Sequence, residues 1–511
     1  MTKTRYIHVG EAPVLIDPVT SNLLDGPAIQ TDTEKLATRG RIVRGVAADG
    51  VARVIVRIPA TEVNERLSVS VLNDEGWISD DVAVDGGLIP LANNGPTPGS
   101  WLDLPAAVST SAGPMTFATY VAPINFSRGG LDDARAQRNV TLQVDSTTNP
   151  GFQTTATVQI LRPPVVLVHG LWDHGSTAWK NFQINRAIFP YVAYANYALH
   201  VSNVIAIDPE YPPNYRPLIL RRINGNDLGF EYNAPIVLRQ IKQHINSFRY
   251  MYDAAAVQAD IVAHSMGGNV SRSMVSVFPF LGDDTFQKGP IHKLITIGTP
   301  HLGSPLAKEL LQDTNAKLRL LLALHYCATV NSVTTTSGAI LNGAIGDLSG
   351  DGFGDGLSDA LKAIKATEPI QSFPTAYIAG IMDASNRASL DCVIDHVEWH
   401  YFLPWNIPCA PQYIRESCGF SGLAGKYTST GWPTVFNQDS DGIVPLASAL
   451  NINAWNNIGI LVFTGFVHSK SMVSDLGFQG PYELGPSSQI QHWIAVLLNE
   501  AVNGADFRLV Q

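Results

Sequence analysis

The chain holds 511 residues, 45% of them hydrophobic and only 15% charged, against about 25% charged in typical soluble domains. That balance excludes intrinsic disorder, which needs low hydrophobicity and high charge. The net charge of −10 argues against general nucleic-acid binding, which leaves a basic footprint. At roughly 150 residues per domain, two to four domains are expected. The opening residues Met1–His8 carry no apolar signal core, and no apolar run reaches the roughly 18 residues of a membrane span. A mature exported protein would look the same, so compartment stays open, as does oligomeric state.

The first third reads as antiparallel β-structure. In Val51–Ile58, Val54, Val56 and Ile58 alternate with Arg53, Ile55 and Arg57. The same period of two runs through Asn139–Val144 and Thr155–Ile160, and marks half-buried strands. Leu67–Leu72 and Thr116–Val121 are further strands, and Asn93–Gly99 is a Gly/Pro/Asn-rich break. Residues 1–162 are therefore expected to form a β-sandwich of immunoglobulin-like type.

After Arg162-Pro163-Pro164 the pattern changes. Val165–Val168 is an unbroken apolar run, and such runs recur at Val204–Ile207, Ile261–Ala263, Leu294–Ile297, Ala376–Ala379 and Ile460–Phe463. Short continuous apolar strands belong to a parallel sheet covered on both faces. Helical periods fall between them. One is expected to start near Asn233-Ala234-Pro235 and repeat at Val237, Ile241 and Ile245; the last is Ser488–Asn499. Residues 163–511 thus predict a doubly wound α/β domain, with long insertions at 304–372 and 384–438 that read as lids or binding elements.

Asp260-Ile261-Val262-Ala263-His264-Ser265-Met266-Gly267-Gly268 joins an apolar strand to a helix through small–x–Ser–x–Gly. A sharp turn and close packing need small residues two before and two after the serine, which makes Ser265 the candidate nucleophile. Upstream, Val168-His169-Gly170-Leu171-Trp172 closes an earlier strand. Acyl transfer needs two backbone N–H groups aimed at the developing oxyanion; Leu171 and Met266 are the candidates. His169 reads as a packing residue of that turn.

With Gly298-Thr299-Pro300-His301-Leu302-Gly303-Ser304, these segments resemble the lipase-like branch of the α/β-hydrolase family over roughly 163–505. The resemblance implies an acid and then a histidine on later strand ends. Asp441, in Ser440-Asp441-Gly442-Ile443-Val444-Pro445, is the candidate acid; Asp439 is its alternate and Asp383 a weaker one. Asp208 precedes Ser265 and breaks the order, and Asp260 is expected to cap or pin the elbow strand. His468, after Ile460–Phe463, is the candidate base. His492 falls in the last helix beside Trp493, and His396 and His400 precede the acid. The implied chemistry is carboxylic-ester hydrolysis by a Ser265–His468–Asp441 triad through an acyl-enzyme, on an acyl-ester or lipid substrate. Phospholipase or polyester depolymerase activity on the same triad is the alternative. A different class of reading makes the N-terminal domain a binding or adhesion module with the hydrolase as cargo.

The stretch Leu306–Val330 holds eight leucines and is read evenly as an interfacial lid or as a core helix. Asp347, Ser349, Asp351 and Asp355 match early ligand positions of a calcium loop, with Ser358 where the bidentate Glu should stand. A flexible Gly/Asp loop is the plainer reading, and no cofactor is required. The four cysteines, Cys327, Cys392, Cys409 and Cys418, permit two bridges, and four free thiols fit equally well; a single bridge, Cys409–Cys418, is slightly favoured.

Overall fold

The computed structural model describes residues 13–18, 31–73, 76–91, 97–149, 151–171, 175–197, 226, 229–312, 333–334, 340–341, 343–354, 356–367, 373–382, 398–402, 407–412, 436, 438–451, 460–468, 482–484 and 487–507. The expected strand Val204–Ile207, most of the 384–438 insertion, Trp172, Asp208, Asp355, Asp383, His396, Cys327, Cys392 and Cys418 lie outside the described residues.

Two sheets occupy the N-terminal third. One orders Arg41–Val43, Val14–Asp17, Arg53–Pro59, Gly113–Val121 and Gly87–Pro90, with Val108–Thr110 also pairing Gly113–Val121. The other centres on the hairpin of Gln137–Ser146 and Gln153–Leu161, flanked by Leu67–Leu72 and Gly45–Ala47. Val54, Val56 and Ile58 of the first share one core with Val69, Val140, Leu142, Val144, Val158 and Ile160 of the second. Alternation therefore predicts the inner face. Ile55 departs from it: it is fully buried on the opposite face, where Leu36 of the helix Thr33–Thr38 covers it together with Ile16 and Phe117.

Six parallel strands form the central sheet: β1 (Val165–Val168), β2 (Val192–Ala195), β3 (Ala259–His264), β4 (Ile291–Ile297), β5 (Thr375–Ile381) and β6 (Ile460–Thr464), in the order β2-β1-β3-β4-β5-β6. Val166 and Val168 of β1 join one core with Val237, Ile241 and Ile245. Val165 and Leu167 join another with Ile490, Ile494 and Leu497. Burial on both faces is why these strands read as unbroken apolar runs. The chain steps from β1 sideways to β2, then returns to β3 on the other flank, so the C-terminal ends of β1 and β3 border a topological switch point.

Helix α1 (Phe230–Tyr252) begins three residues before the expected Asn233. Asn233 lies inside it and donates from Nδ2 to the Asn226 carbonyl (2.9 Å). The cap comes from far along the chain, where Asp347 Oδ2 accepts from the Phe230 N–H at 2.6 Å. A local capping rule sees only neighbouring residues and so misses it. Helix α2 (Met266–Ser273) follows β3, and α3 is the expected Ser488–Asn499.

The two halves interlock. Ala254–Ala255, just after α1, adds a strand parallel to Gly45–Ala47 and so extends an N-terminal sheet. Buried Asp49 accepts four backbone N–H groups: its own turn's Val51 and Ala52 (2.9 and 2.7 Å), and Val257 and Gln258 from the other half (2.7 and 3.0 Å). Arg249 of α1 pairs with buried Asp17. His292 of β4 binds Asp260 Oδ1 through Nδ1 (2.6 Å) and the Ile124 carbonyl through Nε2 (2.9 Å). Asp260 thus pins the elbow strand.

Replacing Asp49 with Ala strips partners from four N–H groups at once. Each unsatisfied buried donor costs about 1–3 kcal/mol before relaxation and water entry. Asp49→Ala is expected to lower unfolding free energy by roughly 3 kcal/mol or more, read as a lower denaturant midpoint at unchanged slope.

Candidate active site

Ser265 sits between β3 and α2 at φ 56° and ψ −133°. A non-glycine residue with positive φ carries strain of order 1–3 kcal/mol and persists only where its surroundings hold it. Here they do: the Ser265 N–H donates to the Ile297 carbonyl at 2.9 Å, and the Ser265 carbonyl accepts from Gly268 at 3.1 Å. The small residues follow from contact distances. A Cβ on Gly267 would lie 2.5 Å from the His169 carbonyl oxygen, and one on Gly268 2.2 Å from Thr299 Oγ1. A Cβ on Gly170 would fall 2.7 Å from Ser265 Cβ, so only glycine lets the end of β1 approach the serine this closely.

Three predicted residues converge. His468 Nε2 lies 2.8 Å from Ser265 Oγ, and His468 Nδ1 lies 2.7 Å from Asp441 Oδ2. Asp441 is fully buried, and its Oδ1 accepts from the Ile443 and Val444 N–H groups at 3.0 and 2.7 Å. The His468 N–H also donates to the Asp441 carbonyl (3.0 Å), which ties the two loops by their backbones. Gly298, at φ +57°, makes room: a Cβ there would meet His468 Nδ1 at 3.0 Å and Asp441 Oδ2 at 3.1 Å. Asp439, the alternate, is exposed two residues away. His492 stays in α3 against Trp493, and His400 falls in the strand Glu398–Phe402.

Of the two expected oxyanion donors, Met266 opens α2, so its N–H is among those the helix itself does not use. The Gly170–Leu171 peptide is held from behind: the Gly170 carbonyl accepts from Asn226 Nδ2 at 2.9 Å, and His169 Nδ1 lies 2.9 Å away. Because the peptide is planar and trans, pinning that carbonyl fixes the Leu171 N–H in the opposite direction. His169 is buried and stacks on Tyr197, as expected of a residue that shapes the turn.

Two contributors escaped the sequence. Asn226 carries no motif. His264, the variable position of the elbow, directs Nε2 to the His468 carbonyl (3.1 Å) with the rings 4.8 Å apart. Burial, and then the neighbouring His468, pushes its pKa down to about 3, so it is neutral at ordinary pH.

In the calcium-loop segment, Asp347 caps α1 and Asp351 Oδ1 accepts from Phe353 and Gly354 (2.8 and 3.1 Å). Ser349 makes backbone turns, its carbonyl accepting from Ser358. Among the described residues no group of three or more His, Cys, Asp or Glu is placed to hold a metal. In the 304–372 insertion, helix Pro305–Gln312 packs Leu306 and Ala307 into the main core; Leu318–Val330 lies outside the described residues, and so does the side chain of Cys409. No described helix is long and apolar enough to cross a membrane.

Residues 233–344, which span the elbow and the Gly298–Ser304 motif, match the family model of the PGAP1-like alpha/beta domain. No curated protein matches the chain. Among solved structures, the mature form of the Bacillus licheniformis lipase BlEst2 aligns at 16% identity over 66% of this chain and 91% of that one, with a TM-score of 0.33. The phospholipase PlaB from Legionella pneumophila aligns at 12% identity and a TM-score of 0.34; the alignment spans 66% of this chain and only 59% of the phospholipase. The parallel sheet with its serine turn, and the family match across that turn, give this part of the chain an α/β-hydrolase-type fold.

Asp347 offers a test of the capping role. Burial raises its pKa to about 6, above the roughly 3.9 of an unfolded Asp. Between those values the folded state holds more protons, so this group's contribution to stability falls as pH rises through that window. Asp347→Asn keeps an acceptor for Phe230 and does not titrate. Its melting temperature should therefore gain on the wild type between about pH 4 and pH 7. If the segment instead held calcium, excess EDTA would lower the wild-type melting temperature, and the Asn variant would lose that response.

Proposed function

We propose that this protein is a serine carboxylic-ester hydrolase. The observation that carries the reading is the unbroken relay from Ser265 Oγ through the His468 ring to buried Asp441, with both ring nitrogens within 2.8 Å of their partners. In this reading Ser265 Oγ attacks an acyl carbonyl carbon as its proton passes to His468 Nε2. Asp441 orients the imidazole and stabilises its cation. The Leu171 and Met266 N–H groups hold the tetrahedral oxyanion, where one donor is worth about 3 kcal/mol in comparable hydrolases. The intermediate collapses, the alcohol leaves with the proton from His468, and water repeats the sequence to release the acid.

The immunoglobulin-like character of the N-terminal sheets and a division of the chain at 162/163 belong to the same proposal. For the role of that third, the strand Ala254–Ala255 and the contacts of Asp49, Asp17 and Ile124 favour structural support over a detachable binding module. Calcium is not needed by this mechanism. An acyl or lipid substrate follows from the same reading, with a lid in the leucine-rich part of the 304–372 insertion as its finer form.

Ser265→Ala is expected to leave the fold intact and remove turnover by a factor on the order of 10⁶, and labelling by a fluorophosphonate probe should vanish with it. Retained ester hydrolysis by Ser265→Ala would sink the mechanism. A lid predicts a jump in rate when a triglyceride passes its solubility limit; an unchanged rate across that limit removes the lid and leaves the esterase. Deleting residues 1–160 should abolish turnover of soluble and insoluble esters alike, whereas loss on the insoluble substrate alone would restore the binding-module reading.

A further inference from the structure

The motif Gly298-Thr299-Pro300-His301-Leu302-Gly303-Ser304 supplies no group to the reaction, yet its residues touch both the nucleophile's helix and the acid's turn. On the helix side, Asn269 Nδ2 of α2 donates to the Pro300 carbonyl at 2.8 Å, and Arg272 Nη1 lies 2.5 Å from His301 Nδ1. His301 Nε2 meets Thr296 Oγ1 of β4 at 3.2 Å. Burial, and then the Arg272 cation, holds the His301 pKa well below its ordinary value, so the ring is neutral and accepts from Arg272. On the acid side, the Ser448 hydroxyl accepts from the Leu302 N–H (3.0 Å) and donates to the Gly303 carbonyl (2.7 Å), while the Ser448 carbonyl accepts from the His301 N–H (3.2 Å). Ser304 Oγ donates to the Ile443 carbonyl at 2.7 Å. Ile443 is the residue whose own N–H binds Asp441 Oδ1.

We infer that Ser304 and Ser448 are positioning residues that fix the Asp441 turn against the elbow helix, with His301 as the bridge between them. The inference rests on the triad reading above and deepens it. Ser304, Ser448 and His301 are all buried, so these bonds are made where water does not compete. A buried hydrogen bond constrains direction as well as distance, and the Ser304 contact is made on the Ile443 carbonyl, which lies between the Ile443 and Val444 N–H groups that aim the carboxylate. Without it, the Asp441 turn has one fewer tie to the sheet that carries Ser265. The cost would fall on orientation of the His468 ring and not on substrate contacts.

A double-mutant cycle tests this. Ser304→Ala and Ser448→Ala each remove one hydroxyl and are mild enough to fold, and active enzyme is counted by fluorophosphonate titration before rates are compared. Each is expected to lower kcat on the order of tenfold with KM within about threefold of wild type. In an Asp441→Asn background, where turnover is already reduced by about 10⁴, the same Ser304→Ala change should cost less than about twofold. An equal fold loss in both backgrounds, or no loss in either, overturns the clamp while leaving the triad standing. If Asp441→Asn keeps full turnover, the triad reading fails and the clamp falls with it.

Discussion

The site depends on one backbone conformation, the positive φ of Ser265 between β3 and α2. A serine in that region is strained, and the strain lifts its side chain off the sheet edge. Holding it requires atoms to crowd the turn, which accounts for Gly170, Gly267 and Gly268 together: each would place a Cβ within 2.7 Å of a neighbour. The Ser265 N–H bond to the Ile297 carbonyl ties the turn to β4. β4 in turn leads straight into Gly298, the residue that leaves space for the His468–Asp441 contact. Strain at one residue is thus balanced by packing that also seats His468 and Asp441.

The same strand links the site to the far end of the molecule. β4 carries His292, which holds Asp260 at the foot of the elbow strand and the Ile124 carbonyl of the N-terminal third. Its neighbour Lys293 is buried and donates to the Leu497, Leu498 and Glu500 carbonyls, closing the C-terminal end of α3. Those carbonyls have no partners within a helix. Consecutive residues of one strand therefore join the elbow, the N-terminal sheets and the last helix. The N-terminal third is built into the α/β half through hydrogen bonds rather than strung before it on a linker.

How legible this was depends on the range of the interaction. Periodicity and short apolar runs identify Leu67–Leu72, Val165–Val168 and Ser488–Asn499 at their observed bounds, because burial on one or two faces writes itself directly into residue order. The strand Val192–Ala195 was not legible: at the sheet's edge it is only partly buried, and Tyr194 is exposed. The start of α1 was misplaced because its cap, Asp347, lies 117 residues away. At the site, Ser265, Asp441 and His468 could be read from strand ends and chain order, and the fold brings them together. Asn226 and Ser448 could not, since a single polar residue that bonds a backbone carbonyl leaves no pattern; Ser304 stands in the Gly298–Ser304 motif, but nothing in residue order gives it the Ile443 carbonyl as partner.

The low charge of the chain takes on a physical meaning in this light. Several of its ionisable groups are not surface charges but partners for backbone. Asp441 accepts from two N–H groups, Asp49 from four, and Lys293 donates to three carbonyls, each of them buried. An interior group of this kind is expensive to desolvate and is tolerated only where loops must be fixed that no ladder or helix can satisfy. Asp49 and Lys293 do this at the seam and at a helix end, where the gain is stability. Asp441 does it at a turn whose other oxygen meets His468 Nδ1, and in the proposed mechanism the same bonding arrangement orients a carboxylate for chemistry. What separates the structural aspartates from the proposed catalytic one is which atom the remaining lone pairs meet.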